Sequence, residues 1–265
     1  MSNIDKYHFI ELLTKSMNGE VHLATEISNK KKVIIKVFVK KLTYSQVKLY
    51  ENKLIPNELF ISDLISDLNM SPKVIEYFET EFKYFIVMEY LGGFWSDLLH
   101  FLVRRETEIK YKIIFKKILK IIRKLNSIGV FYIDIKPDNI MVNCKTLQVK
   151  LIDFEDVLYR PNVKSPEYNR IVGTIGYMSP EILQEQVYDV MKNQVFSLGC
   201  TLFVCLEIKP FFKNKNDTIQ MKHANLFNCS KLAKELIKKC VDINQEIRIS
   251  LEEMEKDDWF TTTFY

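Results

Sequence analysis

The chain changes its residue pattern at the pair Gly92-Gly93, and this change constrains the fold more than any other feature. Before the pair, three segments are rich in β-branched and aromatic residues, which is typical of strands: VHLAT, KVIIKVFV and YFIVMEY. After the pair, apolar residues recur at helical spacing over segments longer than ordinary strands. The sequence therefore predicts a sheet-rich region followed by a larger helical region.

Helical periodicity is present in both regions. The segment 55–68 has apolar residues near helical spacing and predicts one helix among the strands. The segment 110–125, KYKIIFKKILKIIRKL, aligns its apolar residues on one stripe, and Gly129 follows as a helix stop signal. We also predict two short strands around a turn at 140–152, a loop over 154–180, and helices at 195–208, at 231–241 and up to Trp259.

Length and composition exclude several classes of protein. The 265 residues, of which 47% are hydrophobic, suffice for one large domain or two joined lobes. The N-terminal segment MSNIDKYHFIELL has acidic residues among its apolar ones, unlike a signal peptide, and the longest apolar run, FSLGCTLFVCLEI, is too short to span a bilayer. Five cysteines without a CxxC pair favour a reducing compartment. We expect an intracellular protein, cytoplasmic or nuclear, without a membrane span.

The charge pattern gives little reason to expect a nucleic-acid partner. The formal net charge is only +4. Four basic residues fall on the helix predicted at 110–125: Lys112, Lys116, Lys120 and Arg123. Such a stripe could contact acidic lipid or nucleic acid, but it is more typical of the solvated face of an amphipathic helix. We expect the second interpretation to hold.

One short motif, YIDIKPDN, combines three chemically useful side chains: Asp134, Lys136 and Asn139. A carboxylate can accept a proton from a hydroxyl, an ammonium can neutralise negative charge, and an amide oxygen can ligate a hard cation. Taken alone, the same residues could equally form a solvated turn without function.

This motif is one of nine pieces that follow each other along the chain: GEVHLA, VIIK, NEL, VMEYLGG, YIDIKPDN, IDFE, GTIGYMSPE, FSLG and RISLEEM. Each piece alone is a weak signal, but in this order they resemble the eukaryotic protein kinase family nearly end to end. The resemblance implies a bilobal α+β fold forming one protein kinase domain over 1–265. A small antiparallel-sheet lobe would lie at about 1–88, a hinge at 89–93 and a larger helical lobe at 94–265.

The resemblance implies roles for the residues of the short motif. Asp134 would accept the proton of the substrate hydroxyl, and Lys136 would neutralise the transferring phosphate. Asn139 and Asp153 would ligate Mg²⁺. The position of Lys136, two residues after the aspartate, resembles enzymes directed at serine and threonine, and so does Thr174.

Seven residues would form the ATP site by the same resemblance: Leu13, Gly19, Val21, Lys36, Glu58, Glu89 and Leu91. Lys36 would hold the α- and β-phosphates and pair with a glutamate, for which Glu58 is the first candidate and Glu51 the second. Glu89 and Leu91 would offer backbone groups to adenine.

Seven residues depart from the family pattern: Thr14, Ser16, Ile34, Phe94, Ile133, Glu155 and Gln194. Ile34 adds bulk above the expected adenine position. Ile133 replaces an arginine that normally binds a phosphate on the activation loop, so loop phosphorylation loses its usual partner. Glu155 replaces a glycine next to Asp153, which could either restrict the turn or add attraction for Mg²⁺.

Several other departures and matches concern the phosphate loop and the scaffold. Thr14 and Ser16 stand where glycines normally approach phosphate, and Phe94 replaces an acid that contacts ribose. Gln194 replaces an aspartate that anchors the catalytic loop, and its amide oxygen could still accept an N–H group. Three further residues are expected to be structural: the ion pair Glu181–Arg248 and the core residue Trp259.

The leading interpretation is an active serine/threonine kinase that uses ATP and Mg²⁺ on protein substrates, as a monomer, with cell-cycle or growth signalling as one setting. An alternative is a pseudokinase that acts as a scaffold or binding module, which the seven departures motivate. A third interpretation, a small-molecule kinase of related fold, is disfavoured by the segment GTIGYMSPE and by Lys136.

Overall fold

A computed structural model describes residues 3–16, 19–40, 47–50 and 53–262. The chain forms two compact units, one of Met1–Gly93 with Lys150–Glu155 and the other of Phe94–Val149 with Asp156–Tyr265. A five-stranded antiparallel sheet lies in the first unit and the long helices lie in the second, which confirms the predicted α+β class. The sequence alone did not indicate that 150–155 belongs with the first unit.

The strands of the first unit are β1 (Tyr7–Lys15), β2 (Gly19–Glu26), β3 (Lys32–Val39), β4 (Val47–Tyr50), β5 (Lys53–Pro56), β6 (Val74–Glu79) and β7 (Lys83–Glu89). The sheet has the order β1-β2-β3-β7-β6, while β4 and β5 form a separate hairpin. Alternation along β3 separates two faces, because successive side chains of a strand point to opposite sides. Val33, Ile35 and Val37 are buried on one face, so Lys36 faces the other.

The helix predicted at 55–68 is shorter than expected. Helix α1 spans Asn57–Leu64, and a separate 3₁₀ turn follows at Ser66–Leu68. Pro56 precedes the helix, where its missing N–H costs nothing, and Asn69 ends the turn in a left-handed conformation with φ 52°. The helical periodicity of the sequence therefore covered two separate elements, helix α1 and the 3₁₀ turn that follows it.

The helices of the second unit are α2 (Leu98–Phe101), α3 (Glu108–Ser127), α4 (Pro180–Leu183), α5 (Val190–Glu207), α6 (Lys215–Ile219), α7 (Lys231–Cys240), α8 (Leu251–Lys256) and α9 (Asp258–Thr261). Its short strands are β8 (Trp95–Asp97), β9 (Val130–Tyr132), β10 (Ile140–Asn143), β12 (Val157–Tyr159), β13 (Glu167–Tyr168) and β14 (Tyr188–Asp189), and β11 (Val149–Leu151) runs across the division between units. Antiparallel pairs join β10 to β8, β12 to β9 and β13 to β14.

Helix α3 confirms the predicted stripe but corrects one basic residue. Lys116, Lys120 and Arg123 are exposed, as expected for a solvated face. Lys112 is buried instead, and its ammonium donates to the carbonyl oxygen of Thr262 at 2.7 Å. The long aliphatic stem of a lysine can lie in an apolar layer when its charged end finds an oxygen partner.

Other predicted elements are also found, with one correction. The strands around 140–152, the helices near 195–208 and 231–241, and the burial of Trp259 are confirmed. The expected loop at 154–180 instead contains β12 and β13, which are too short to give a periodic pattern. No helix within the described ranges has the length and apolar character needed to cross a membrane.

Candidate functional site

A buried ammonium lies between two carboxylates in the first unit. The Nζ atom of Lys36 on β3 is 2.6 and 2.8 Å from the two carboxylate oxygens of Glu58 on α1, and 3.3 Å from Oδ1 of Asp153. Burial lowers the pKa of Lys36, but the charges of Asp153 and Glu58 outweigh burial and hold this pKa above the usual lysine value. Lys36 therefore remains a fixed cation at neutral pH. The alternative partner Glu51 lies outside the described residues.

The residues after β11 are held by a side chain that sequence reasoning missed. Asn57, the residue before Glu58, donates its amide N–H groups to the carbonyl oxygens of Phe154, at 3.3 Å, and Glu155, at 2.9 Å. Asp153 itself has a left-handed backbone with φ 68°. No signal in the sequence identified Asn57, because its partners lie about a hundred positions away in the chain.

The residue that replaces a glycine in this segment is accommodated. Glu155 is not among the residues with positive φ, so its β-carbon requires no strained backbone. Its carboxylate adds to the negative charge that raises the pKa of Lys36. The structure therefore favours added negative charge over a restricted turn as the consequence of this substitution.

In the second unit, three donors converge on one oxygen of Asp134. Oδ2 accepts hydrogen bonds from Lys136 Nζ at 2.7 Å, from Thr174 Oγ1 at 3.0 Å and from Asn139 Nδ2 at 3.2 Å. Lys136 also donates to Thr174 Oγ1 at 2.7 Å. The carboxylate is thus fixed in orientation by a network that joins residues from 134 to 174.

The second oxygen of Asp134 is placed differently. Oδ1 is buried, and no donor from the part of the chain that the structure describes reaches it. Gly173 lies beside it with φ +119°, and a β-carbon at that position would stand 3.7 Å from Oδ1. A buried acceptor without a donor is costly unless a ligand completes it. An incoming hydroxyl is a ligand of the right chemistry, since it can donate to Oδ1 and then lose its proton to it.

Two oxygens fit the ligand preference of Mg²⁺. The amide nitrogen of Asn139 is committed to Asp134, at 3.0 Å from its carbonyl oxygen, which leaves the amide oxygen of Asn139 for a cation. The carboxylate of Asp153 is partly exposed, with 42% of its side-chain surface accessible. The described residues hold no group of three or more His, Cys, Asp or Glu that could bind a metal.

The pairing of two strands in the sheet requires glycine at position 19. A β-carbon at this position would lie 2.1 Å from the carbonyl oxygen of Val37 on β3, so close pairing of β2 and β3 requires glycine. Ser16 closes the turn before it: Ser16 N–H donates to the carbonyl oxygen of Gly19 at 2.8 Å, and Gly19 N–H donates to Ser16 Oγ at 3.2 Å. The intervening residues 17–18 lie outside the described residues.

The other residues expected to contact ATP lie on β1, on β2 and at the end of β7. Leu13 is at a register shift of β1 and is half exposed, and Val21 pairs with Lys36 across β2 and β3. The backbone N–H of Glu89 donates to the carbonyl oxygen of Lys73 at 2.9 Å, so only its carbonyl oxygen could serve a ligand. Leu91 follows β7 and is partly buried.

Ile133 and Gln194 take structural roles in the second unit. Ile133 is buried in an apolar cluster with Phe131, Leu158, Met178, Ile182, Leu183, Tyr188 and Val190. Gln194 is also buried, and its amide N–H groups donate to the carbonyl oxygen of Tyr132 and to the side chain of Asn126, each at 3.1 Å. The amide oxygen of Gln194 accepts an N–H group, as expected, but the donor is a side chain and not the backbone of the catalytic loop. This donor is Asn126 Nδ2, at 2.8 Å.

Comparison with known proteins gives a consistent set of matches. Residues 7–260 match the family model described as protein kinase domain. The chain is 29% identical to the serine/threonine-protein kinase PSK1 of Saccharomyces cerevisiae, over 91% of this chain and 18% of that protein. It is 28% identical to the CBL-interacting serine/threonine-protein kinase 18 of Arabidopsis thaliana, over 98% of this chain and 50% of that protein. It is 30% identical to the serine/threonine-protein kinase 1 of African swine fever virus, over 80% of this chain and 71% of that protein. The chain thus spans half or less of the first two relatives.

Proposed function

This chain belongs to the protein kinase domain family, and we propose that it transfers the γ-phosphoryl group of ATP to serine or threonine hydroxyls of protein substrates. One observation carries the proposal. The carboxylate of Asp134 is held through Oδ2 by Lys136, Thr174 and Asn139, while the buried Oδ1 lacks a donor from the described residues. A base fixed in orientation, with one oxygen available, suits proton removal from a hydroxyl.

In the proposed reaction, the substrate hydroxyl donates to Oδ1 of Asp134, which orients its oxygen for in-line attack and accepts its proton. Lys136 neutralises charge on the transferring group, since its ammonium lies beside the same carboxylate. Phosphoryl transfer depends mostly on positioning and electrostatic stabilisation. Fixed orientation of these two side chains is therefore the property that catalysis requires.

For the nucleotide, Lys36 supplies the cation for the phosphates, and Glu58 fixes its position. Leu13, Gly19, Val21, Leu91 and the carbonyl oxygen of Glu89 complete the proposed ATP contacts. Asp153 and Asn139 would hold Mg²⁺, which would neutralise charge on the phosphate oxygens.

Serine and threonine are the proposed acceptors because Lys136 and Thr174, the two residues that resemble enzymes directed at serine and threonine, are hydrogen-bonded to each other and to Asp134. The relatives named above carry serine/threonine kinase names. A monomeric state and an intracellular location, cytoplasmic or nuclear, belong to the same proposal. The five free cysteines support the location. Cell-cycle or growth signalling would be a suitable setting.

A pseudokinase is the second candidate, and two observations favour it. Ile34 lies on the same face of β3 as Lys36 and is opposite Met88 on β7, which adds bulk beside the proposed nucleotide. The ammonium of Lys145 lies over the ring of Phe94, 3.5 Å from its centroid, and Phe94 offers no carboxylate for ribose. These features would weaken nucleotide binding without removing the polar residues that transfer requires.

The test of the proposed function is phosphate transfer from ATP to a generic basic protein with Mg²⁺. We expect transfer by the wild type, and we expect Lys36→Met and Asp134→Asn to be silent while their circular dichroism shows folded protein. If none of the three folded proteins transfers phosphate, the proposed kinase activity is rejected and the pseudokinase interpretation is favoured.

Turnover is expected not to require phosphorylation of this chain, so dephosphorylation should not lower it. Ile133 is buried among apolar side chains and offers no cation for a phosphate on Ser165, Tyr168 or Thr174. Treatment with a phosphatase, followed by removal of the phosphatase and a kinase assay, checks this. Loss of turnover after the treatment would show that a phosphate on this segment is needed.

Ile34→Ala is expected to tighten ATP binding about fivefold, because relief of overpacking in a close-packed slot is worth ~1 kcal/mol. Calorimetric titration with ATP measures the effect. Ile75→Ala is the matched control, since Ile75 is half exposed on β6. An affinity that stays equal or falls would mean that the pocket has adapted to isoleucine.

A further inference from the structure

Ser165 lies directly against a carboxylate in the second unit. Ser165 is exposed, and its hydroxyl donates to Oδ2 of Asp189. The neighbouring backbone is paired as well: β13 pairs with β14, and Val190 N–H donates to the carbonyl oxygen of Pro166 at 3.0 Å. The segment is therefore docked in its unphosphorylated state.

The same aspartate holds the start of helix α5. Oδ1 of Asp189 accepts the backbone N–H groups of Met191, at 2.7 Å, and Lys192, at 3.1 Å. These are the donors that an anion at a helix N-terminus would seek, and Asp189 already occupies them. The ammonium of Lys192 is committed to the carbonyl oxygen of Arg248. A second anion at Ser165 would stand beside the carboxylate of Asp189.

We propose that Ser165 is a phosphorylation site at which the phosphate lowers the activity of this kinase. The inference rests on the proposed function. A protein kinase, this one or another, supplies the ATP: Ser165 Oγ attacks the γ-phosphorus, the bond to ADP breaks, and the hydroxyl proton passes to the base of that kinase. The product has lost its O–H donor and carries a charge of about −1.5 to −2. Repulsion from Asp189 replaces the hydrogen bond.

The effect reaches the catalytic residues through packing. Tyr168 of β13 contacts the ring of Tyr188 edge-on, and Tyr188 donates its hydroxyl to the carbonyl oxygen of Arg170. Tyr188 belongs to the apolar cluster that buries Ile133, the neighbour of Asp134. Further along the same segment, Thr174 donates to Asp134. Release of β13 would loosen both supports of this carboxylate.

The experiment compares homogeneous protein carrying phosphoserine at 165, made by genetic incorporation, with the unphosphorylated protein. We expect kcat to fall about tenfold, as one displaced charge contact in this network would produce. Ser165→Ala should retain most of the activity. Ser165→Glu should lose activity, and Ser165→Glu with Asp189→Asn should regain it, because asparagine keeps the helix cap without the charge. Asn169→Glu, an equal charge change on the same exposed segment, should have little effect.

Hydrogen exchange at the amide of Val190 gives a readout that needs no catalysis, and phosphoserine at 165 should speed this exchange. Unchanged or higher kcat with phosphoserine, no recovery with Asp189→Asn, or an equal loss with Asn169→Glu would overturn the proposal. If the unphosphorylated protein transfers no phosphate, the proposed function fails. In that case, unchanged exchange at Val190 would separately reject the docking of this segment by Ser165.

Discussion

Asp134→Asn is expected to lower kcat by about a thousandfold, the middle of the range for removal of a general base. Asparagine keeps the shape of the side chain, and its oxygen can still accept from Lys136 and Thr174, so the network seen at Oδ2 is retained. It cannot take a proton from the substrate hydroxyl. ATP affinity should change little, because Asp134 is proposed to act on the hydroxyl and not on the nucleotide.

The measurement is steady-state kinetics together with calorimetric titration of ATP. Asp138→Asn is the matched control, because Asp138 is an exposed aspartate of the same motif and should retain turnover. A value of kcat for Asp134→Asn within about tenfold of the wild type would place the base elsewhere. If weaker ATP binding accounted for all of the lost turnover, Asp134 would not be the base that accepts the proton.

Arg248→Met is expected to lower the free energy of unfolding by about 3–5 kcal/mol. The side chain of Arg248 has 0% of its surface exposed and donates to Glu181 Oε1 at 2.7 Å, which confirms the predicted buried pair. It also donates to the carbonyl oxygens of Asp242 and Lys192. Removal of the guanidinium leaves the carboxylate of Glu181 buried without a counter-charge, and this uncompensated buried charge destabilises the folded state.

Urea denaturation of the variant measures this loss. Glu181→Gln should destabilise in the same direction, since it leaves Arg248 as the uncompensated charge. Arg123→Met is the control, because Arg123 forms an exposed ion pair with Glu255 and should cost at most about 1 kcal/mol. A loss for Arg248→Met no greater than that of the control would show that the pair does not brace the unit.

The fold was predictable where short-range pattern and burial agree. Alternation along β3 predicted a two-sided strand, and the apolar stripe of α3 predicted a long helix with one solvated face. Errors arose where single contacts override the pattern. Pro56 and Asn69 set the bounds of the helical segment 55–68. Lys112 is buried because its ammonium donates a hydrogen bond to the carbonyl oxygen of Thr262, which is remote in the chain.

The candidate site was predictable in its residue types and less so in its contacts. The motif around Asp134 indicated which side chains belong together, and the structure places Lys136, Asn139 and Thr174 on the same carboxylate oxygen. The supporting contact of Asn57 was not predictable, since it depends on how a helix start meets a distant backbone turn. For the same reason, the sequence offered no sign that Gly19 is required by Val37 of the next strand.

The central claim is that this chain is an active kinase directed at serine and threonine. The most direct test incubates the folded protein with Mg²⁺, ATP labelled at the γ-phosphate and a generic basic protein, then hydrolyses the product and identifies the labelled amino acid. We predict label on phosphoserine and phosphothreonine with the wild type and none with Asp134→Asn. Label confined to phosphotyrosine, or no label from folded wild-type protein, would contradict the claim.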